Sequence, residues 1–363
     1  MKTRLVDCGI VPSLRSQTIY HAVAECTEPD GMPTITLMRP DKPYVCIGYH
    51  QEVEKEIDVS YCGANDIPVI RRQVGGGAVL LDVNQLFFHV IIPKDKAADF
   101  RLPSTLMERY AYLAKAPIAA YEPLGIRAQF RPINDIHVNG KKIGGTGTAD
   151  VGGAFLFVGS MMLDFNHALM ARVLKFSDEK MRDKVQKTME DYVTSMRREL
   201  GAAPPIESVK KELVAAFAEV YQLDFVGSEL SHQELQKVDE LDRTFAGEAW
   251  LHAVQWNDTR SRSLTINADV KIVEGAHKAP GGLLRLTVKV VNNIIEDTLL
   301  SGDFTISPRG ALKTFSMELI GCSLAPADLT ARVHAGLETH KFDMPGVTAA
   351  DFTQLISKIA HQE

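Results

Sequence analysis

Disulfides, membrane spans and broad nucleic-acid surfaces have little to build on here. Five cysteines, Cys8, Cys26, Cys46, Cys62 and Cys322, lie scattered through 363 residues with no Cys-x-x-Cys pair. An odd, dispersed set does not make a disulfide framework, so reduced and mostly buried thiols are expected. No run approaches the roughly 18 uninterrupted apolar residues of a membrane span, and the start, "MKTRLVDCGIVPSLRSQ", has no apolar stretch long enough for a signal peptide. A cytoplasmic protein is the resulting expectation. The net charge of −6 and pI near 6.0 lack the basic excess that tracks phosphate backbones. Metal-ligand spacing of histidines, HExxH, GxSxG and a Walker A loop are all missing, since Gly140-Lys141 is followed by Lys142 and not by Ser or Thr.

What is present is an ordinary globular composition, 45% hydrophobic and 24% charged, on a chain long enough for a large and a small domain. Residues 16–26 space Ile19, Ala22, Val23 and Cys26 at helical intervals. "TITLMRP", "YVCIGYH", "PVIRRQVGGGAVLL" and "QLFFHVIIP" then read as strands. Their short connections favour antiparallel or mixed pairing over helical crossovers. Residues 104–122 read as a helix that Pro117 must end or kink. "DIHV" and "KKI" flank Asn139-Gly140, a hairpin signal because this pair suits the positive φ angles of a type I′ turn. "AFLFVGSMML" reads as a buried strand. From 167 to about 253 the period is helical, with Ser231 to Glu234 as a capping box. "NDTRSRS" reads as a linker. Beyond it Leu284, Leu286, Val288 and Val290 alternate with Arg285, Thr287 and Lys289, and Asn292-Asn293 reads as a turn. The expected class is α+β with mixed, largely antiparallel sheets: a domain over 1–255 and a small α+β domain over 261–363.

Two segments could carry chemistry. In "RRQVGGGAVLLD", residues 71–82, glycines between strand-like flanks let backbone N–H groups face a ligand, and Arg71 and Arg72 supply planar donors for phosphate or carboxylate oxygens. In "INDIHVNGKKIGGTG", residues 133–147, neighbouring Lys141 and Lys142 point to opposite faces of a strand, so one can enter a pocket. Each segment alone also fits a plain loop or a solvated hairpin, with Asn134 and Asp135 as turn formers. The run Gly145-Thr146-Gly147 lacks the third glycine of a dinucleotide fingerprint and no helix follows at once, which excludes a Rossmann site.

Taken together, the two segments resemble the lipoate–protein ligase A family, related to biotin protein ligases and octanoyltransferases. The family pattern is RRxxGGGxVxxD, then N-D-[IV] before G-x-K-[IV]-x-G, and this chain shows both in order. Similarity extends through "RPDKPYVCIGYHQ" upstream and, in "KVVNNIIEDTLLSGDF" and "MELIGCSL", to the accessory domain of full-length ligases. The resemblance implies a class II synthetase-like catalytic domain that activates lipoate or octanoate with ATP and Mg²⁺ and acylates a lysine of a lipoyl domain. Lys142 matches the lysine beside the carboxyl and α-phosphate. Arg71, Arg72, Gly75, Gly76, Gly77, Ala78, Asp82, Asn134, Asp135, Gly145 and Thr146 match adenylate-binding positions, with Asp135 near the nucleotide's Mg²⁺.

Acceptors implied by the resemblance are a 2-oxoacid dehydrogenase E2 subunit, the glycine-cleavage H protein or a lipoate-binding protein of sulfur oxidation; no nucleic acid or membrane partner is implied. Octanoyltransferases of the superfamily use a cysteine nucleophile, and this chain has no cysteine between Cys62 and Cys322. That favours a ligase over a transferase working from acyl carrier protein, and intact Lys142 and Arg72 argue against a non-catalytic lipoyl-domain binder. The arginine-glycine loop of biotin ligases is missing. Two positions depart from the pattern: Leu81 stands where His is frequent, and Gly147 where Ala is common.

Overall fold

The computed structural model describes residues 1–176, 178–256 and 270–360. Strands, in chain order, are β1 (Lys2–Val11), β2 (Thr34–Pro40), β3 (Tyr44–Ile47), β4 (Val69–Arg71), β5 (Val79–Leu81), β6 (Gln85–Pro93), β7 (Gln129–Arg131), β8 (Asp135–Val138), β9 (Lys141–Val151), β10 (Ala154–Met162) and β11 (Asp224–Gly227). From residue 270 on come β12 (Val270–Ala279), β13 (Gly282–Val291) and β14 (Ile294–Gly302). Eight of them form a mixed sheet in the order β11-β1-β2-β6-β10-β9-β8-β7. Only β1 pairs in parallel within it, with β2 and β11; the other pairings are antiparallel. The fold is α+β, as the sequence predicts.

Alternation along the strands gives this sheet two different faces. One carries Phe88, Phe155 and Phe157, which pack with Tyr110, Tyr121, Leu213 and Phe217 from helices Leu106–Leu113, Lys115–Tyr121 and Ile206–Tyr221. The other face is covered in part by helix Arg15–Glu25; along the rest of it runs a cleft. A small sheet in the order β4-β3-β5 stands over that cleft and holds the ends of the triple-glycine loop, because β4 leads into it and β5 leaves it.

The C-terminal residues make their own three-stranded sheet, β12-β13-β14, with a core of Leu284, Leu286, Val288 and Val290 against Phe315, Val333, Phe352 and Leu355. The alternating polar positions of β13 are not left to solvent. Arg285 reaches Glu56 at 3.2 Å, and Lys55 pairs with Glu274 of β12, so the charged face of this sheet lies against the N-terminal part. Between β14 and helix Ala311–Met317, residues 302–309 run along the loop side of the large sheet. Gly302 N–H donates to the His50 carbonyl at 2.9 Å, His50 stacks on Phe304, the Ser307 hydroxyl donates to Asp150 at 2.5 Å, and Arg309 lies over Tyr49 while donating to Gln73.

Most local signals hold. The Ser231 capping box is complete, Asn292 and Asn293 have φ of 50° and 64°, and Asn139-Gly140 turns the β8–β9 hairpin with positive φ at both residues. The 104–122 helix is two helices, broken at Ala114, with Pro117 placed near the start of the second, where its missing N–H costs least. The linker read at "NDTRSRS" lies outside the described residues. β1 has no counterpart in the sequence expectations: its burial does not alternate and its partners are remote.

Candidate active site

Lys142 owes its position to one extra residue. In the β8–β9 ladder His137 pairs with Lys142 while Ile136 pairs with Gly144, so Ile143 is skipped. With strict alternation, residues three apart face opposite sides of a strand. The bulge puts Lys142 and Gly145 on the same face. A Cβ at position 145 would come within 3.2 Å of the Lys142 Cε and Nζ, so the lysine stem lies over Gly145. The carbonyl of the skipped Ile143 accepts from the buried Tyr121 hydroxyl at 3.0 Å. Lys142 Nζ meets Asp135 Oδ1 at 2.7 Å, and the Lys142 carbonyl accepts from Thr194 N–H at 2.8 Å. Asn134 and Thr146 form a clamp: Asn134 Nδ2 donates to the Thr146 carbonyl at 2.6 Å, and the Thr146 N–H and hydroxyl both donate to the Asn134 carbonyl.

The glycine loop is shaped by three close approaches. A side chain on Gly75 would strike the Phe304 carbonyl, one on Gly48 would collide with the Gly76 carbonyl, and Gly76 itself has φ of 91°. The Gly76 N–H donates to the Phe304 carbonyl at 3.1 Å, so this amide does not face the cleft as a free donor. Arg72 braces the loop, donating through Nη2 to the carbonyls of Gly75 and Gly77, both at 2.8 Å, and through Nη1 to Cys46.

Two cavities meet here. The first, about 330 Å³, is floored by Phe87, Val158, Met162 and Gly147 of the large sheet, roofed by the glycine loop, and flanked by Met170 and Met189. The second, about 450 Å³, is mainly polar, with Arg131, Asp135, His137 and Tyr192 on one side and Lys278, Asp303 and Thr305 of the C-terminal part on the other. Gly76, Gly77, Asn134, Lys142 and Val193 line both. No group of three or more His, Cys, Asp or Glu side chains among the described residues is arranged to hold a metal.

Arg72, Gly75, Gly76, Gly77, Ala78, Asn134, Lys142, Gly145 and Thr146 thus line the first cavity, and Asp135 lines the second. Arg71 and Asp82 line neither, which corrects the expectation for both. Arg71 is fully buried and donates to the carbonyls of Gly48, Tyr49, Trp250 and Leu251; burial pushes its guanidinium down to about 10. Asp82 accepts from the Asn84 N–H at 2.8 Å in the turn between β5 and β6, and burial raises its carboxyl. Sequence reasoning missed Gly48, although "CIGYH" carries it in a run of bulky residues. It also missed Val74, Tyr192 and Lys278, whose types give no signal on their own.

An apolar cleft and a polar cleft thus join beside Lys142. The pattern of the lipoyl protein ligase A/B catalytic domain matches residues 17–218, and the chain belongs to that family. It is 27% identical over 240 residues to "Octanoyltransferase LipM" of Kyrpidia tusciae, covering 60% of this chain and 86% of the relative. It is 29% identical over 229 residues to "Lipoate-protein ligase A subunit 1" of Thermoplasma acidophilum, covering 60% and 84%. The solved structure of a bipartite lipoate protein ligase from that organism, described with its E2 lipoyl domain, superposes with a TM-score of 0.64 at 26% identity over 71% of this chain and 98% of its own. P. falciparum LipL1 in complex with lipoate, at 14% identity, shares the fold over 94% of this chain and 98% of its own, with a TM-score of 0.66. No helix among the described residues is long and apolar enough to cross a membrane.

Proposed function

We propose that the chain is an ATP-dependent lipoate–protein ligase, which joins lipoate or octanoate to AMP and passes the acyl group to a lysine of a lipoyl-domain protein. One observation carries the reading: an apolar and a polar cleft meet at Lys142 and the glycine loop. The acyl chain fits the first, between Met162, Met170, Met189 and the sheet floor; ATP fits the second. In the first step a carboxylate oxygen bonds to the α-phosphorus and pyrophosphate leaves. The Lys142 ammonium, at the junction, offsets the repulsion between two anions and the charge that builds between them. In the second step the acceptor's neutral ε-amine attacks the anhydride carbonyl carbon, AMP leaves with the C–O electron pair, and the amine gives up a proton.

Arg131 and Lys278 add positive charge to the polar cleft, which suits a polyphosphate. Mg²⁺ would arrive with the nucleotide, held by phosphate oxygens with Asp135 or Asp303, since such ions need only one or two protein carboxylates. The acceptor protein belongs among those named above, an E2 lipoyl domain, an H protein or a lipoate-binding protein of sulfur oxidation.

A second reading, octanoyl transfer from acyl carrier protein, is favoured by relatives named octanoyltransferase. It needs a nucleophile, and no cysteine lines either cleft. Cys46, behind the glycine loop, is fully buried, and burial raises its thiol. The deciding experiment incubates the protein with Mg²⁺, lipoate or octanoate, and a panel of apo lipoyl domains, with and without ATP, and reads acylation by mass. Acylation only with ATP is expected. Acylation from octanoyl acyl carrier protein without ATP replaces the ligase by the transferase, and no acylation in any arm overturns both.

A further inference from the structure

Gly147 leaves no room for a side chain, and the fold shows what occupies the space. A Cβ at this position would lie 2.6 Å from Val74 Cγ1 and 3.5 Å from Val158 Cγ2. Both residues line the apolar cleft: Gly147 is in its floor, and Val74 stands just before the glycine loop of its roof. Val74 cannot retreat. It is 1% exposed and packed among Tyr20, Val23, Ile91 and Leu156. Its carbonyl accepts from Tyr49 N–H at 3.0 Å, which fixes the backbone as well.

We infer that Val74 and Gly147 are a matched pair that sets the cross-section of the acyl cleft and thereby selects among medium-chain carboxylic acids. The inference rests on the reading that the apolar cleft takes the acyl chain. Gly147 lies two residues beyond Gly145, where the Lys142 stem rests, so the valine wedge enters roughly 6–7 Å along the strand from the carboxyl end of the cleft. At that depth it meets the hydrocarbon and leaves the reacting carboxyl alone. A methyl added at 147 forces Val74 toward the cleft, because its other sides are packed. That narrows the channel and disfavours the broad dithiolane ring of lipoate more than slim, straight octanoate. Shortening Val74 has the opposite effect, and the two changes offset each other when combined, as contacting residues do.

The test measures acid binding by titration calorimetry without ATP, and kcat/KM for acyl-AMP formation, with lipoate, octanoate and decanoate. The proteins are wild type, G147A, V74A and V74A/G147A. G147A is expected to lower the lipoate-to-octanoate ratio about tenfold, the size of one or two misplaced methyl groups in an apolar pocket. V74A is expected to raise relative use of decanoate severalfold, and the double variant to return the ratios toward wild type. Ratios unchanged in V74A, whose fold is checked by thermal melting, overturn the inference even where G147A fails to fold. Absence of any acid binding by the wild type instead overturns the reading of the cleft itself.

Discussion

The two clefts that meet at Lys142 are made in different ways. The apolar one is walled wholly by residues 17–193, on a sheet face whose side chains are fixed by core packing behind it. The polar one is a seam, and part of its wall, including Lys278, Asp303 and Thr305, comes from the C-terminal residues. A flexible hydrocarbon needs a preformed slot, since ordering it costs entropy that few directional contacts repay. A polyphosphate needs charges from several directions, which a seam between two sheets supplies.

The contrast breaks most sharply at the junction. Replacing Lys142 by Ala is expected to lower kcat/KM for adenylate formation by about 10²–10³, the usual effect of removing a group that stabilises developing charge. Octanoate titrated in the absence of ATP should still bind, because the apolar walls are intact. Equal loss of both would mean that the clefts are not separable. The paired arginines sharpen the same division. Arg71→Ala removes the guanidinium donor from four carbonyls, leaving those of Tyr49 and Leu251 without it, and should cost about 3 kcal/mol of unfolding free energy. Arg72→Ala should cost about 1 kcal/mol while reducing adenylate formation more than Arg71→Ala does at a temperature where both are folded. Denaturant melts run beside kinetics read the split, and the reverse order would refute the assignment of Arg71 to scaffold and Arg72 to the loop.

A further contrast appears in acid. His21, His50 and His89 are buried and held down to about 3 by desolvation. Their folded values lie below the unfolded value of about 6.5, so the unfolded chain binds more protons between these limits. The stability they contribute is whole above pH 6.5 and is lost as pH falls toward 3, by up to about 1.4 kcal/mol per pH unit for each ring. His89 lines the apolar cleft, whereas His50 stacks on Phe304 at the seam. His50→Leu should therefore reduce the acid slope by about one proton in denaturant titrations at pH 5 and 7, and an unchanged slope would contradict its buried neutral state.

How much of this was readable in the chain differs by element. The strands β2, β6 and β10, the Asn139-Gly140 hairpin and the capping box follow from local pattern and turn chemistry, which need no knowledge of partners. β1 was not readable, because a strand paired in parallel to two distant segments has no hairpin or alternation to announce it. At the site, the pairing of the triple glycine with Lys142 was legible as a motif. The division of labour between Arg71 and Arg72 was not, since identical side chains one residue apart are sorted only by which carbonyls surround them. Likewise Gly75 reads as room for a ligand, while a side chain there would strike Phe304, far along the sequence.

The skipped Ile143 makes the hairpin sensitive to length in a way that point substitution does not probe. Inserting one residue between Lys142 and Gly145, with the single bulge kept, would carry the ammonium to the far side of the sheet, away from both clefts, whereas deleting Ile143 restores a regular ladder with Lys142 still on the cleft face. Insertions of a single residue there should be absent from any functional descendant of this chain, however freely the side chains at the turn are exchanged.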